Sequence, residues 1–146
     1  MFSWVAKRLV SFQMARLRAG DTRPILLMDA PDVRMDFPGE NTWAPGANGK
    51  TEHARWLGRF VEVGLQIYPD EVILKGFPWR QTLCVRGRDN LRAPDGELVY
   101  ENRYVLWGHI VWGRLKRYEV YEDTQKTDAL DAWLAAHRPV LIASAQ

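Results

Sequence analysis

The sequence predicts an α+β fold in which a curved, mostly antiparallel sheet wraps around helices into a cone with one central pocket. Three observations carry this. Apolar residues recur at helical spacing near both ends of the chain and again from Thr51 to about Ile67. Four segments between Glu71 and Glu122 are rich in Val, Ile, Leu, Tyr and Trp and are joined by short turn signals. Helices that flank such a meander settle on one face of the sheet, and a strongly twisted antiparallel sheet curls into a cone whose open end is a pocket. The third observation is the count of seven tryptophans, more than core filling requires in a chain of 146 residues. At 47% hydrophobic and 26% charged, residues 1–146 read as one domain, large enough to hold a core without disulfides or a structural metal.

Residues 2–18 are amphipathic, Arg-rich and free of acids, with Phe2, Val5, Leu9 and Phe12 as the stripe expected to face the core. An organelle transit peptide shares that pattern; a covering helix is the preferred reading. Gly20-Asp21 breaks it, and a second helix is expected from Thr22 to Ala30, with Asp21 or Thr22 as N-cap and Pro24 in its first turn. Val33 to Phe37 alternates as a strand, and Pro38-Gly39 opens a loop that runs to Gly49. Trp56, Leu57, Phe60, Val61, Gly64 and Leu65, with His53 one turn earlier, mark the main buried helix. Strands are expected over Glu71–Phe77, Arg80–Arg88, Leu98–Val111 and Arg114–Glu122, with turns at Phe77-Pro78, Pro94-Asp95-Gly96 and Trp112-Gly113. A closing helix from Thr127 to His137 carries Leu130, Trp133 and Leu134, and Pro139 stops it.

Twenty basic and eighteen acidic residues leave a net charge of +2, which points to a neutral or apolar partner rather than to nucleic acid or a membrane. Cys84 is the lone cysteine, in the apolar run Thr82-Leu83-Cys84-Val85, and reads as a buried thiol suited to a reducing cytoplasm. The first twenty residues lack a long apolar run with a cleavage site, and no stretch approaches the ~18 apolar residues of a membrane span, so a cytoplasmic location is expected. His53, His109 and His137 are far apart and form no metal-ligand spacing. Ala44-Pro-Gly-Ala-Asn-Gly-Lys-Thr51 ends as a phosphate-binding loop does, but Ala44 stands where the first Gly belongs and no apolar strand leads directly into it. A flexible loop leading into a helix capped by Thr51 is the better reading, and neither metal nor cofactor is expected.

The stretch Met35-Asp36-Phe37-Pro38-Gly39-Glu40-Asn41-Thr42-Trp43-Ala44-Pro45-Gly46, followed by Gly49-Lys50 and the Trp56-Leu57 helix, resembles the SnoaL-like branch of the nuclear transport factor two-like, or ketosteroid isomerase-like, superfamily. Tyr100 to Val105, then Gly113-Arg114-Leu115 and Tyr121-Glu122-Asp123-Thr124, resemble that family's closing hairpin. The resemblance implies a cystatin-like α+β barrel, commonly a homodimer through the outer sheet face. It also implies a deep pocket such as polyketide cyclases, ketosteroid isomerases and limonene epoxide hydrolases use for hydrophobic small molecules.

A carboxyl group buried in an apolar cone has a raised pKa and can exchange protons near neutrality. By the resemblance, Asp36 at a strand end occupies the position of the isomerase base, and Asp123 that of the late aspartate of the cyclases. As local chemistry, Asp36 also reads as a solvated loop residue and Asp123 as an N-cap. The first helix has no Tyr, and the region of Leu106 and Trp107 has no carboxyl, which argues against steroid isomerase chemistry. Arg86-Gly87-Arg88-Asp89 lacks the Arg-x-Asp spacing of the epoxide hydrolases and reads as a strand end and turn. His53, Trp43, Trp56, Phe60, Trp79, Asn102, Tyr104, Trp107 and Tyr121 are the candidate substrate-binding residues, and His53 also reads as a helix-start side chain near solvent. On the strand Tyr100 to Ile110 the sequence separates two faces without saying which meets the pocket. The pocket mouth is expected between the loop Asp36–Gly49 and the final hairpin. The expected function is a pocket protein for a hydrophobic small molecule, cyclase-like or isomerase-like with an Asp moving the proton; a non-catalytic binding or dimerisation module is the alternative.

Overall fold

Helical periodicity at the N-terminus becomes α1 (Ser3–Arg18) in the computed structural model, which describes residues 3–143 and residue 145. The buried face of α1 is Val10, Met14 and Leu17, while Val5, Leu9 and Phe12 are exposed. The helix carries two apolar stripes, and the one that packs is the one in register with Val72, Val85 and Tyr104 of the sheet beneath. Phe2, the remaining member of the expected stripe, lies outside the described residues. Short α2 (Arg23–Met28) has Pro24 in its first turn and ends two residues early, because Asp29 and Ala30 are already extended in β1 (Asp29–Asp36). Asp21, rather than Thr22, supplies a side-chain acceptor at the start of α2, taking a hydrogen bond from Arg23 N at 3.1 Å.

The Gly- and Pro-rich loop contains one short strand, β2 (Gly46–Asn48), and leads into α3 (Lys50–Val63). Gly64, with φ +92°, terminates α3 by taking the left-handed conformation, so the helix ends four residues short of Ile67, which already lies in strand. The meander follows as β3 (Gln66–Phe77), β4 (Arg80–Arg92), β5 (Leu98–Val111) and β6 (Arg114–Glu122). It closes with α4 (Thr124–His137) and α5 (Pro139–Ala143).

The six strands form one sheet in the order β2-β1-β6-β5-β4-β3. Only β1 and β6 pair in parallel, with a break in register between Asp29 and Arg34; every other pair is antiparallel. The sheet curls without closing, since its edge strands β2 and β3 do not pair. Helix α1 runs antiparallel to β3 and is fastened at both ends. Ser3 Oγ donates to Leu74 O and accepts from Leu74 N near one end, and Arg18 Nη1 donates to Ile67 O at 2.7 Å near the other. On β5 the inward face is Tyr100, Asn102, Tyr104, Gly108 and Ile110, all buried, whereas Glu101, Arg103 and Trp107 point out.

One glycine is set by a close approach rather than by a turn. A Cβ at Gly87 would stand 2.4 Å from the Tyr104 hydroxyl and 2.2 Å from Tyr68 O, so its absence lets the Tyr104 phenol lie across β4 and donate to Tyr68 O at 3.1 Å. The loop 38–45 is held equally firmly: Asp131 of α4 accepts hydrogen bonds from Thr42 N, Thr42 Oγ1 and Trp43 Nε1 at 2.8–3.0 Å. Arg59 stacks 3.9 Å over the Trp43 ring and donates to Thr42 O. The loop therefore belongs to the core, with its Trp43 buried, and α3 begins at Lys50 with Gly49 rather than Thr51 at the cap position. Among the described residues no helix is long and apolar enough to cross a membrane.

Candidate functional site

The concave face of the sheet and the helices over it enclose an apolar cavity of about 140 Å³. Val10, Met14 and Leu17 of α1 form one wall, Trp56 and Phe60 of α3 another, and Val85, Leu106 and Val120 of the sheet a third. A second apolar space of about 460 Å³ lies toward the β3–β4 and β5–β6 turns, bounded by Val5, Leu74, Gln81 and Gly113. The two share Val10, Gln13, Ile25, Leu83 and Leu115 as walls, so they are successive parts of one passage.

Two carboxyl groups line the deep part, Asp89 from β4 and Glu122 from the end of β6. Burial, and after it the neighbouring Glu122 charge, push Asp89 up to about 7 against a smaller opposing pull from its own backbone and the Tyr100 hydroxyl. Burial likewise pushes Glu122 up to about 6, opposed by a hydrogen bond donated by Thr127 Oγ1. Asp89 Oδ1 is buried and accepts no hydrogen bond among the described residues. Asn102 orders this end by donating to Tyr100 Oη at 3.1 Å and to Asp123 O at 3.0 Å. Desolvation is the largest influence on both carboxyls, and it favours their protonated forms.

A second buried polar chain stands behind the cavity wall. His53 Nδ1 is 2.5 Å from Asp29 Oδ2 and His53 Nε2 is 2.5 Å from Tyr118 Oη, with Tyr118 also donating to Met35 Sδ at 2.9 Å. Burial, reinforced by the Asp29 charge, holds the Tyr118 phenol well above its ordinary range, so it stays neutral. The Tyr118 ring lines the cavity, while its hydroxyl is engaged with His53.

Three solved structures show what this architecture matches. A nuclear transport factor two-like protein of unknown function from Burkholderia pseudomallei is 23% identical, covering 85% of this chain and 95% of its own, at a TM-score of 0.67. TerC, co-crystallised with polyporic acid, is 23% identical, covering 86% of this chain and 96% of its own, at 0.68. The fold is nuclear transport factor two-like. A putative polyketide cyclase from Sinorhizobium meliloti shares this fold at 21% identity and a TM-score of 0.55, covering 78% of this chain and 94% of its own. No family model matches the sequence, and no curated protein matches it at a significant level.

Within this nuclear transport factor two-like cone the residues singled out from sequence separate into groups. Trp56, Phe60 and Tyr104 line the cavity. Trp43 stands behind Trp56 at 5.5 Å and donates to Asp131, and Asn102 lies beneath the floor. His53 is fully buried in the Asp29–Tyr118 chain, away from both mouth and solvent, because α3 lays its first turn against β1 and β6. Trp79, Trp107 and Tyr121 are exposed, the first in a turn and the other two on the convex sheet face. Asp36 is paired with Arg117 at 2.7 Å and Arg34 at 3.2 Å on the surface. Asp123 caps α4, accepting from Gln125 N at 3.0 Å. Neither Asp36 nor Asp123 lines the apolar cavity. The wide opening faces the β3–β4 and β5–β6 turns, and the loop 38–45 closes the opposite end instead of framing the mouth.

Sequence reading passed over Asp89 and Glu122. Asp89 sits among Arg86, Arg88 and Arg92, which resembles a solvated turn, yet β4 continues to Arg92 and the alternation Val85, Gly87, Asp89, Leu91 turns Asp89 inward. Glu122 is two residues beyond Val120 and four beyond Tyr118, again on the inward phase. The period-two pattern, followed through the charges, would have found both.

Folding favours the protonated form of Asp89, so its contribution is complete below the unfolded value of 3.8 and is lost as pH rises through about 7. Chemical denaturation should show Asp89→Asn gaining stability over the wild type between pH 4 and pH 8, by up to a few kcal/mol; parallel profiles would contradict the burial argument. His53→Ala strands Asp29 in the core and should cost about 3 kcal/mol or more in urea unfolding, with Tyr118→Phe costing about 1–2.

Proposed function

We propose that this protein binds a hydrophobic carbonyl compound, polyketide-like in character, and moves a proton next to its carbonyl group with Asp89 and Glu122. The observation that supports this reading is the pair of buried carboxyls of raised pKa at the deep end of an apolar passage. In this reading the base is the ionised member of the pair. It removes a proton from carbon, the resulting enolate collapses by attack or reprotonation, and the other member supplies the proton that the oxygen or carbon requires. Trp56, Phe60 and Tyr104 hold the ligand by apolar contact and exclude water. The likeness to a putative polyketide cyclase and to a protein co-crystallised with polyporic acid is consistent with a flat, hydrophobic substrate.

Deuterium exchange from D2O into 2-tetralone, followed by NMR, tests the chemistry without knowledge of the natural substrate. The wild type should accelerate exchange, Asp89→Asn should lose about 10²-fold or more, and Asp36→Asn and Asp123→Asn should stay close to wild type. Full exchange by Asp89→Asn would take the chemistry away from Asp89, and a wild type that fails to accelerate exchange while 2-tetralone still raises its melting temperature would leave a binding module in its place.

The same reading includes a homodimer through the convex sheet face, on which Trp107 and Tyr121 are exposed beside Val105. Sedimentation equilibrium should find a dimer that Trp107→Arg converts to monomer; a monomeric wild type would end this part of the proposal.

A further inference from the structure

A net charge of +2 conceals an uneven distribution along the cone. No Asp or Glu occurs in residues 1–20, 72–88 or 102–118, the segments that build the end with the wide opening, whereas Lys7, Arg8, Lys75, Arg80 and Arg114 do. Asp32, on β1, is held by Lys116 at 2.6 Å. The other end carries Asp70, Asp95, Glu97, Glu101 and Asp123 interleaved with Arg88, Arg92, Arg103 and Lys126, so its charges are mixed where those of the open end are of one sign.

The basic end is also where large apolar side chains stand in solvent. Phe77 and Trp79 stack at 4.9 Å in the β3–β4 turn, and Trp112 of the β5–β6 turn lies 6.3 Å from Trp79. The two turns are joined by a hydrogen bond from Trp112 N to Pro78 O at 3.0 Å. Trp4, on the first turn of α1, and Leu27, at the end of α2, are exposed at the same end, because Ser3 is bonded to Leu74 and Arg114 donates to Leu27 O.

Trp112 is placed at a cost. It has φ +50° and is followed by Gly113 at +77°, a two-residue hairpin turn whose first position favours Asn, Asp or Gly. A bulky residue there is a backbone outlier, and with 71% of its surface exposed Trp112 recovers nothing from core packing. The second apolar space lies at this end too, bounded by Val5, Met28, Leu74 and Gly113, which are chain neighbours or near neighbours of Trp4, Leu27 and Trp112.

We propose that this end of the cone docks on an anionic lipid bilayer, with Trp79, Trp112, Phe77 and Leu27 entering the interfacial layer and Lys7, Arg8, Arg80 and Arg114 meeting the headgroups. Tryptophan is the side chain that best suits the boundary between headgroup and acyl chain, and cations around an apolar patch are attracted to anionic lipid. The passage mouth then faces the bilayer, and a hydrophobic ligand reaches the cavity without crossing water. The docking uses the cavity as a ligand site and does not depend on proton transfer by Asp89.

Co-sedimentation of the full chain with vesicles of phosphatidylcholine, alone or mixed with phosphatidylglycerol, tests it. Binding is expected to the mixed vesicles, to weaken with salt, and to fall about tenfold in Trp79→Ala/Trp112→Ala and at least about fivefold in Lys7→Glu/Arg80→Glu. Val140→Ala, exposed on α5 away from the rim, and Asp89→Asn should bind as the wild type does, and circular dichroism should show every variant folded. The proposal fails if the wild type stays in the supernatant with mixed vesicles, as it would if the rim seats a protein or a second copy of this chain. It fails equally if Val140→Ala lowers binding as much as the rim variants do.

Discussion

Everything around the cavity hangs on the buried chain from Asp29 through His53 to Tyr118. It ties the start of β1, the first turn of α3 and the middle of β6 together at the one place where the sheet pairs in parallel. Each member is hidden from water, so each depends on the others to replace the hydrogen bonds that solvent would have made. Because α3 is fixed there, Trp56 and Phe60 one and two turns later are fixed as cavity walls, and their rings stack at 5.8 Å. The polar chain thus positions an apolar surface.

The same physics produces the opposite result at the deep end. Asp89 and Glu122 are also withdrawn from water, but neither has a cation to offset the loss, and desolvation is the largest influence on both. Asp36, in contrast, has Arg117 and Arg34 at its oxygens, and Asp123 accepts from the Gln125 amide in the first turn of α4. Four carboxyls thus divide by what surrounds them: two are satisfied and structural, two are kept short of partners.

The sequence made the meander, the order of elements and the family resemblance legible because strand alternation and turn residues are local signals. It left the inward face of β5 undecided, since Tyr100, Asn102 and Tyr104 are no more apolar than Val105, Trp107 and His109 opposite; only the helices overhead decide. The wrong stripe on α1 has the same cause: Leu9 and Phe12 are better hydrophobes than Gln13 and Met14, yet the sheet beneath accepts Val10 and Met14. Asp89 was missed for a different reason. Its arginine neighbours all point outward, and in one dimension an inward carboxyl among them is indistinguishable from a turn. His53 was noticed but misplaced, as its partners Asp29 and Tyr118 lie 24 and 65 positions away.

The passage runs along β6, from Leu115 near the wide opening to Glu122 at the closed end. At about 3.3 Å per residue that is roughly 23 Å. A ligand of the kind proposed would travel lengthwise, leading with the group that meets the carboxyls and trailing the rest toward the mouth. On that reading such a channel would measure its cargo: molecules sharing a reactive head but differing in tail length would be sorted by how far the tail protrudes, and chain length would determine selectivity in its own right.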